Sequence, residues 1–251
     1  MIPVVLHHGL CGRSILPGKL GRPSFRGIDK VLTRAGYSVK ASAVHPTAGI
    51  ERRAKELKQW ILDHRKTWDA EPIVLVAHSL GGLDARYMLR RLDMAKHVRA
   101  LLTVSTPHRG SPWADWCVEN VGRRLRAMDL VAQLGLDIEG VLDVTTERCR
   151  KFNADVKDVP GVPYFSVSAS QPWRKMPAFS LVSWRVISKI DGPNDGLVSV
   201  KSARWGEHLA TWQADHWHSI NRRLSREAMK VGDISPNYLA AVSAIAPLPA
   251  D

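Results

Sequence analysis

Ser79 stands in the segment Ile73-Val74-Leu75-Val76-Ala77-His78-Ser79-Leu80-Gly81-Gly82. A serine hydroxyl is a weak nucleophile alone. It needs exposure, a base within hydrogen-bond reach and donors for the developing oxyanion. A sharp turn from a buried strand into a helix supplies the exposure, and it requires small residues two before and two after the serine. Ala77 and Gly81 hold those positions, giving A-x-S-x-G where G-x-S-x-G is usual. A serine here could also do no more than cap the helix. The apolar run before it and the amphipathic run after it favour the nucleophile.

His8-Gly9-Leu10 follows the first apolar run. In a strand–turn–helix architecture, an H-G segment after an early strand aims one backbone N–H at the substrate oxygen, and the residue after the nucleophile supplies the second. The oxyanion donors are then the amides of Leu10 and Leu80. An ordinary glycine turn is the alternative. In the order serine, acid, histidine, the partners lie downstream. Asp195, in Pro193-Asn194-Asp195-Gly196-Leu197-Val198, is the favoured acid, with Asp191 and Asp215 as alternatives. His216, in Ala214-Asp215-His216-Trp217-His218, is the favoured base, ahead of His218 and His208. His216 would take the Ser79 proton and return it to the leaving group, and Asp195 would fix its tautomer.

Such a site needs a rigid frame. The pattern predicts strands at Ile2–Leu6, Tyr37–Ala43, Ile73–Ala77, Val98–Val104, Val162–Val167 and Trp184–Ile190, and helices at Ile28–Arg34, Ile50–Trp68 and Gly81–Leu92, with another starting near Ser219. The expected fold class is α/β, a mainly parallel sheet flanked by helices. The 251 residues suit one domain, 1–251. Residues 111–159 carry no strand and separate two strands that should be neighbours. They read as a structural cap or a lid. The apolar residues Leu125, Met128, Leu130, Val131, Leu134 and Leu136 form either an acyl pocket or a helix packing face.

The composition is that of a globular protein, 45% hydrophobic and 24% charged. The net charge is +12, yet the cations are dispersed and form no nucleic-acid signature. A solvated basic surface is the main reading, and attraction to an anionic interface the second. Cys11, Cys117 and Cys149 make no disulfide framework and have no metal-site spacing. The first apolar run is too short for a signal-peptide core, and no run approaches the ~20 apolar residues of a membrane span. The expectation is a cytoplasmic protein.

Five pieces together resemble the α/β-hydrolase-fold lipases and esterases, particularly bacterial triacylglycerol lipases. They are His8-Gly9-Leu10, Ala77-His78-Ser79-Leu80-Gly81-Gly82-Leu83-Asp84-Ala85-Arg86-Tyr87, Ser105-Thr106-Pro107-His108-Arg109-Gly110-Ser111, Asn194-Asp195-Gly196-Leu197-Val198-Ser199 and the stretch around His216. The resemblance implies a serine carboxylic-ester hydrolase with triad Ser79, Asp195 and His216 and oxyanion donors Leu10 and Leu80. It implies His78 and His108 as pocket neighbours and the insertion after Ser111 as the lid. The substrate would be a small-molecule or lipid ester, met in transient contact with a lipid interface. No cofactor and no nucleic-acid partner are expected. Many bacterial relatives place a calcium-binding aspartate two residues after the catalytic histidine; His218 stands there, so no metal is expected either. A disulfide cysteine found in some relatives is replaced near Lys201 and Ser202. The alternatives are a thioesterase, amidase or acyltransferase on the same triad, or an inactive hydrolase-like binding protein.

Overall fold

The computed structural model describes residues 1–10, 24–124 and 139–249, with the side chains of 121–124 left aside. Six strands form one sheet in the order β2-β1-β3-β4-β5-β6. They are β1 (Pro3–His7), β2 (Ser38–Ala41), β3 (Ile73–His78), β4 (Val98–Val104), β5 (Tyr164–Ala169) and β6 (Glu207–Trp212). Every neighbouring pair is parallel. Helices α1 (Ile28–Arg34), α2 (Ile50–His64) and α3 (Gly81–Arg91) connect the first four strands. Helices α4 (Pro112–Arg124), α5 (Glu139–Asp143) and α6 (Thr146–Asp155) lie between β4 and β5. Helices α7 (Leu181–Ile190), α8 (Val200–Ala203), α9 (Arg226–Val231) and α10 (Ser235–Ile245) complete the described chain.

The central strands are mostly apolar because both faces are covered. On one face Val4, Leu6, Val74, Val76, Leu102 and Val104 pack with Leu32, Tyr238 and Val242. On the other, Val5, Leu75, Ala77 and Leu101 pack with Leu57, Ile61 and Met88. The alternation along β3 therefore divides one apolar run between two cores.

Two sequence expectations are corrected. Trp184–Ile190 is not a strand: Leu181–Ile190 is helix α7, whose fully buried positions Ser183 and Ile187 are four apart on one face. The stretch after His216 forms only a 3₁₀ turn, His218–Ile220, and the next helix begins at Arg226. A missed strand, β6, pairs with β5 through Phe165 to Ala169. Its sequence Glu-His-Leu-Ala-Thr-Trp is polar because it is the sheet's edge, where fewer side chains face a core.

The 111–159 insertion separates β4 from β5, which are hydrogen-bonded neighbours. Residues 125–138, including the apolar group from Leu125 to Leu136, lie outside the described residues, as does Cys11. Among the described residues Cys117 and Cys149 are free thiols, and no helix is long and apolar enough to cross a membrane.

Candidate active site

The chain leaves β1 toward β2 on one side and returns to β3 on the other. This reversal opens a crevice at the carboxyl ends of β1 and β3, where open parallel sheets place their ligands. His8-Gly9-Leu10 leaves one of those ends and Ser79 the other.

Ser79 has φ 55°, a left-handed value that a side-chain-bearing residue adopts at a cost of ~1 kcal/mol or more. Its N–H donates to Val104 O at 2.9 Å, and its carbonyl accepts from Gly82 N–H at 3.0 Å, so sheet and helix hold the strained turn from both sides. A Cβ on Gly9 would lie 2.6 Å from the Ser79 Cβ and 2.9 Å from His78 O. One on Gly81 would lie 2.9 Å from His8 O. The two loops touch backbone to backbone, which explains glycine at both positions. Ala77 is fully buried in the α2–α3 core, where its methyl group fits without displacing the turn.

The Ser79 hydroxyl lies 3.0 Å from His216 Nε2, and His216 Nδ1 lies 2.8 Å from Asp195 Oδ2. With Nδ1 carrying the proton, His216 donates to Asp195 and Nε2 accepts from Ser79. Asp195 is fully buried; its Oδ1 accepts from the amides of Leu197 at 2.9 Å and Val198 at 2.7 Å. The His216 amide donates to Asp195 O at 2.9 Å, fastening the two loops directly. Asp195 does not follow a strand, as the sequence suggests, but helix α7. It reaches the sheet edge because Gln171 N–H, just past β5, donates to Asn194 O at 3.1 Å.

The alternatives are placed elsewhere. Asp191 accepts from Ser199 Oγ at 2.9 Å. Asp215 accepts the amides of Trp217 at 3.0 Å and His218 at 2.8 Å and shapes the turn that presents His216. His218 Nε2 bonds Gly232 O at 2.9 Å, and His208 lies beside Ser166 on the edge strand.

The triplet opens on a cavity of about 340 Å³. Leu10, Leu80, Trp113, Val144, Leu197 and Trp217 are among its lining residues, so its wall is mostly apolar. No acceptor for the Leu10 or Leu80 N–H is found among the described residues. Ser111, Trp113, Ala114, Cys117, Val141 and Val144 of the insertion form part of the wall.

A structure of a metagenomic carboxyl esterase superposes with a TM-score of 0.78 at 22% identity, over 96% of this chain and 74% of that one. A mature Bacillus licheniformis lipase superposes with a TM-score of 0.70 at 23% identity, over 96% and 91%. The chain has the α/β-hydrolase fold. Residues 50–146 match the family model of the PGAP1-like alpha/beta domain. In sequence the chain is 34% identical to triacylglycerol lipase 2 of Saccharomyces cerevisiae over 203 residues, 78% of this chain and 61% of the yeast protein. It is 30% identical to the triacylglycerol lipase of Pseudomonas fragi over 141 residues, 56% of this chain and 43% of that protein. The chain thus spans less than two thirds of the curated relatives it matches.

His78 also lines the cavity, its ring centroid 4.6 Å from that of His216. Burial, then the neighbouring His216, holds its pKa well below the ordinary histidine value, so it is neutral. Its Nε2 donates to Ser219 Oγ at 2.9 Å, and that hydroxyl donates to His216 O at 2.7 Å. His108 is different, and the expectation of a pocket neighbour is corrected. It does not line the cavity; it is fully buried, stacked on Trp205 at 5.2 Å with Nε2 3.1 Å from Thr103 Oγ1. On this side the cavity wall is Pro107 and the insertion, and His108 lies instead beside Arg86.

Sequence reasoning passed over a buried ionic network beneath the H-G turn. Arg53 and Asp84 are fully buried and joined at 2.8 Å, and His7 Nε2 bonds the same carboxylate oxygen at 3.0 Å. Arg53 also donates to His8 O at 2.5 Å and His45 O at 2.6 Å. The available signal was Asp84 itself, a carboxylate on the sheet-facing side of α3. Ser219 and Trp217 gave no such signal.

Proposed function

We propose that this α/β-hydrolase is a serine carboxylic-ester hydrolase of the lipase and esterase type, cleaving acyl esters of lipids through an acyl-enzyme. Ser79 is the nucleophile, His216 the base and Asp195 the orienting acid. The observation that carries the reading is the unbroken Asp195–His216–Ser79 chain, 2.8 and 3.0 Å, opening on an apolar cavity.

His216 Nε2 takes the Ser79 proton as Oγ attacks the ester carbonyl. The oxyanion accepts from the amides of Leu10 and Leu80. His216 then protonates the departing alcohol, leaving an acyl group on Ser79. Water, deprotonated by His216, attacks the acyl carbonyl; Ser79 leaves with that proton and the carboxylic acid is released. Asp195 holds the imidazole in the tautomer both halves require, while its other oxygen accepts from two backbone amides. Residues 111–159 act as the cap of a single domain, which is supported by the six cavity residues they contribute. Contact with a lipid interface belongs to the same reading.

The test is a p-nitrophenyl ester panel from acetyl to palmitoyl, run beside matched thioesters and anilides. Wild type should turn over esters, and Ser79→Ala should lose at least ~10⁴-fold with an unchanged fold. Undiminished turnover by the variant would remove Ser79 from the mechanism. Preference for thioesters or anilides would move the substrate class.

A further inference from the structure

Ten large apolar side chains are exposed among the described residues, and six of them come from two short segments. Trp173, Phe179 and Val182 belong to the first, and Leu224, Met229 and Val231 to the second, all between 47% and 62% exposed. Single exposed apolar residues are ordinary, but a concentration of them is not. The two segments are neighbours in space, because Lys175 Nζ bonds Glu227 Oε1 at 2.7 Å.

The same face is cationic. Residues 172–190 hold Arg174, Lys175, Arg185 and Lys189 and no carboxylate. Residues 221–232 hold four cations and one carboxylate, Glu227, which already pairs with Lys175. Between the segments lies a groove of about 490 Å³ lined by Arg174, Lys175, Arg226 and Lys230, with Leu224 on its wall. Exposed aromatic and aliphatic side chains alternate here with Lys and Arg. That composition suits the headgroup–acyl boundary of an anionic bilayer, where apolar groups enter and cations meet phosphate.

Position adds the decisive observation. The Phe179 ring packs edge-on against Trp217 at 4.7 Å, and Trp217 lines the cavity that holds Ser79. The apolar–basic face is thus continuous with the mouth of the site.

We propose that the face formed by residues 173–182 and 224–231 docks this protein on an anionic phospholipid surface, with the Arg174–Lys175–Arg226–Lys230 groove receiving lipid headgroups. The docked protein would present its cavity to the membrane. The inference rests on the proposed ester hydrolase for its purpose, but its evidence and its test are separate. It also gives the net charge of +12 a local use.

The test measures partition of the full chain onto vesicles of phosphatidylcholine alone and of phosphatidylcholine with about 30% phosphatidylglycerol, each containing enough anionic charge or none to reveal the surface potential. Wild type should bind the anionic vesicles at least ~10-fold more tightly. The triple variant Arg174→Glu, Arg226→Glu, Lys230→Glu should lose ~100-fold or more on them, and the milder triple glutamine variant should lose a large part of that. Trp173→Ser with Leu224→Ser should lower partition by about tenfold. All three variants should keep the melting temperature and the turnover of dispersed p-nitrophenyl butyrate. Equal partition onto both vesicles, or partition unmoved by charge reversal and by glutamine alike, overturns the proposal. Salt-sensitive binding to duplex DNA, lost in the same variants while vesicles are ignored, overturns it too and assigns the face to nucleic acid. Failure of wild type to cleave any ester would overturn the hydrolase reading alone, because partition is read without turnover.

Discussion

Gly9→Ala tests how closely the two loops at the crevice must meet. The added methyl would sit 2.6 Å from the Ser79 Cβ, 2.9 Å from His78 O and 3.2 Å from Leu80 N. Ordinary contact begins near 3.4 Å, so the nearest approach falls about 0.8 Å short. Neither partner can yield cheaply. The Ser79 turn is held by Val104 O and Gly82 N–H, and the His8 carbonyl by Arg53. The H-G-L loop must therefore lift away, carrying the Leu10 amide with it. Misplacement on this scale costs ~10²-fold in rate, comparable to losing one oxyanion donor. Overpacking adds ~1–3 kcal/mol of destabilisation. The assay is kcat and KM on p-nitrophenyl butyrate with a parallel melting curve. The expected result is a kcat lower by ~10²-fold, KM nearly unchanged, and a Tm lower by several degrees. A kcat within threefold of wild type in a folded variant would refute the placement of the Leu10 donor.

Other substitutions probe the supports of the site. Ser219→Ala removes the hydroxyl between His78 and His216 O and should lower kcat by about fivefold, at ~1 kcal/mol for one such bond, with KM held; steady-state kinetics decide it. Asp84→Ala leaves Arg53 buried without its carboxylate and should cost ~3–5 kcal/mol in urea unfolding; a loss below 1 kcal/mol would mean that Arg53 finds water. His7, His78 and His108 all have folded pKa values below the unfolded 6.5, chiefly through burial. Their stabilising contribution is full above pH 6.5 and is lost as pH falls from there through the lowered folded values, at up to ~1.4 kcal/mol per pH unit for each. Unfolding at pH 7.5 and 5.5 should show this slope, and a slope of opposite sign would contradict neutral burial.

What the sequence disclosed depended on how local each signal was. The run before Ser79 and the small residues around it encode strand, turn and helix within ten positions, so the elbow was legible. Leu10 was legible as the residue after an H-G turn. The choice among Asp191, Asp195 and Asp215, or among three histidines, was not local. It depends on which carboxylate meets which ring in space, and Asp195 is the one that meets His216. Strand β6 escaped because an edge strand with Glu207, His208 and Thr211 lacks an apolar run. Helix α7 was misread because Val186-Ile187 and Ile190 supply β-branched residues at a spacing that a short window cannot assign. Arg53 and Asp84 looked like solvated charges, since burial of a paired ion leaves no mark in composition.

The hydrogen bond from the His216 amide to Asp195 O has a mechanical consequence. It ties the acid loop to the base loop, both rooted in the chain beyond β5. The nucleophile and its amide donors are rooted in β1 and β3. Relative displacement of these two blocks leaves the Asp195–His216 contact intact and changes the separations that cross between them, Ser79 Oγ to His216 Nε2 and His78 Nε2 to Ser219 Oγ. Under the proposed mechanism, strain applied between the blocks is felt at the proton-transfer step between Ser79 and His216.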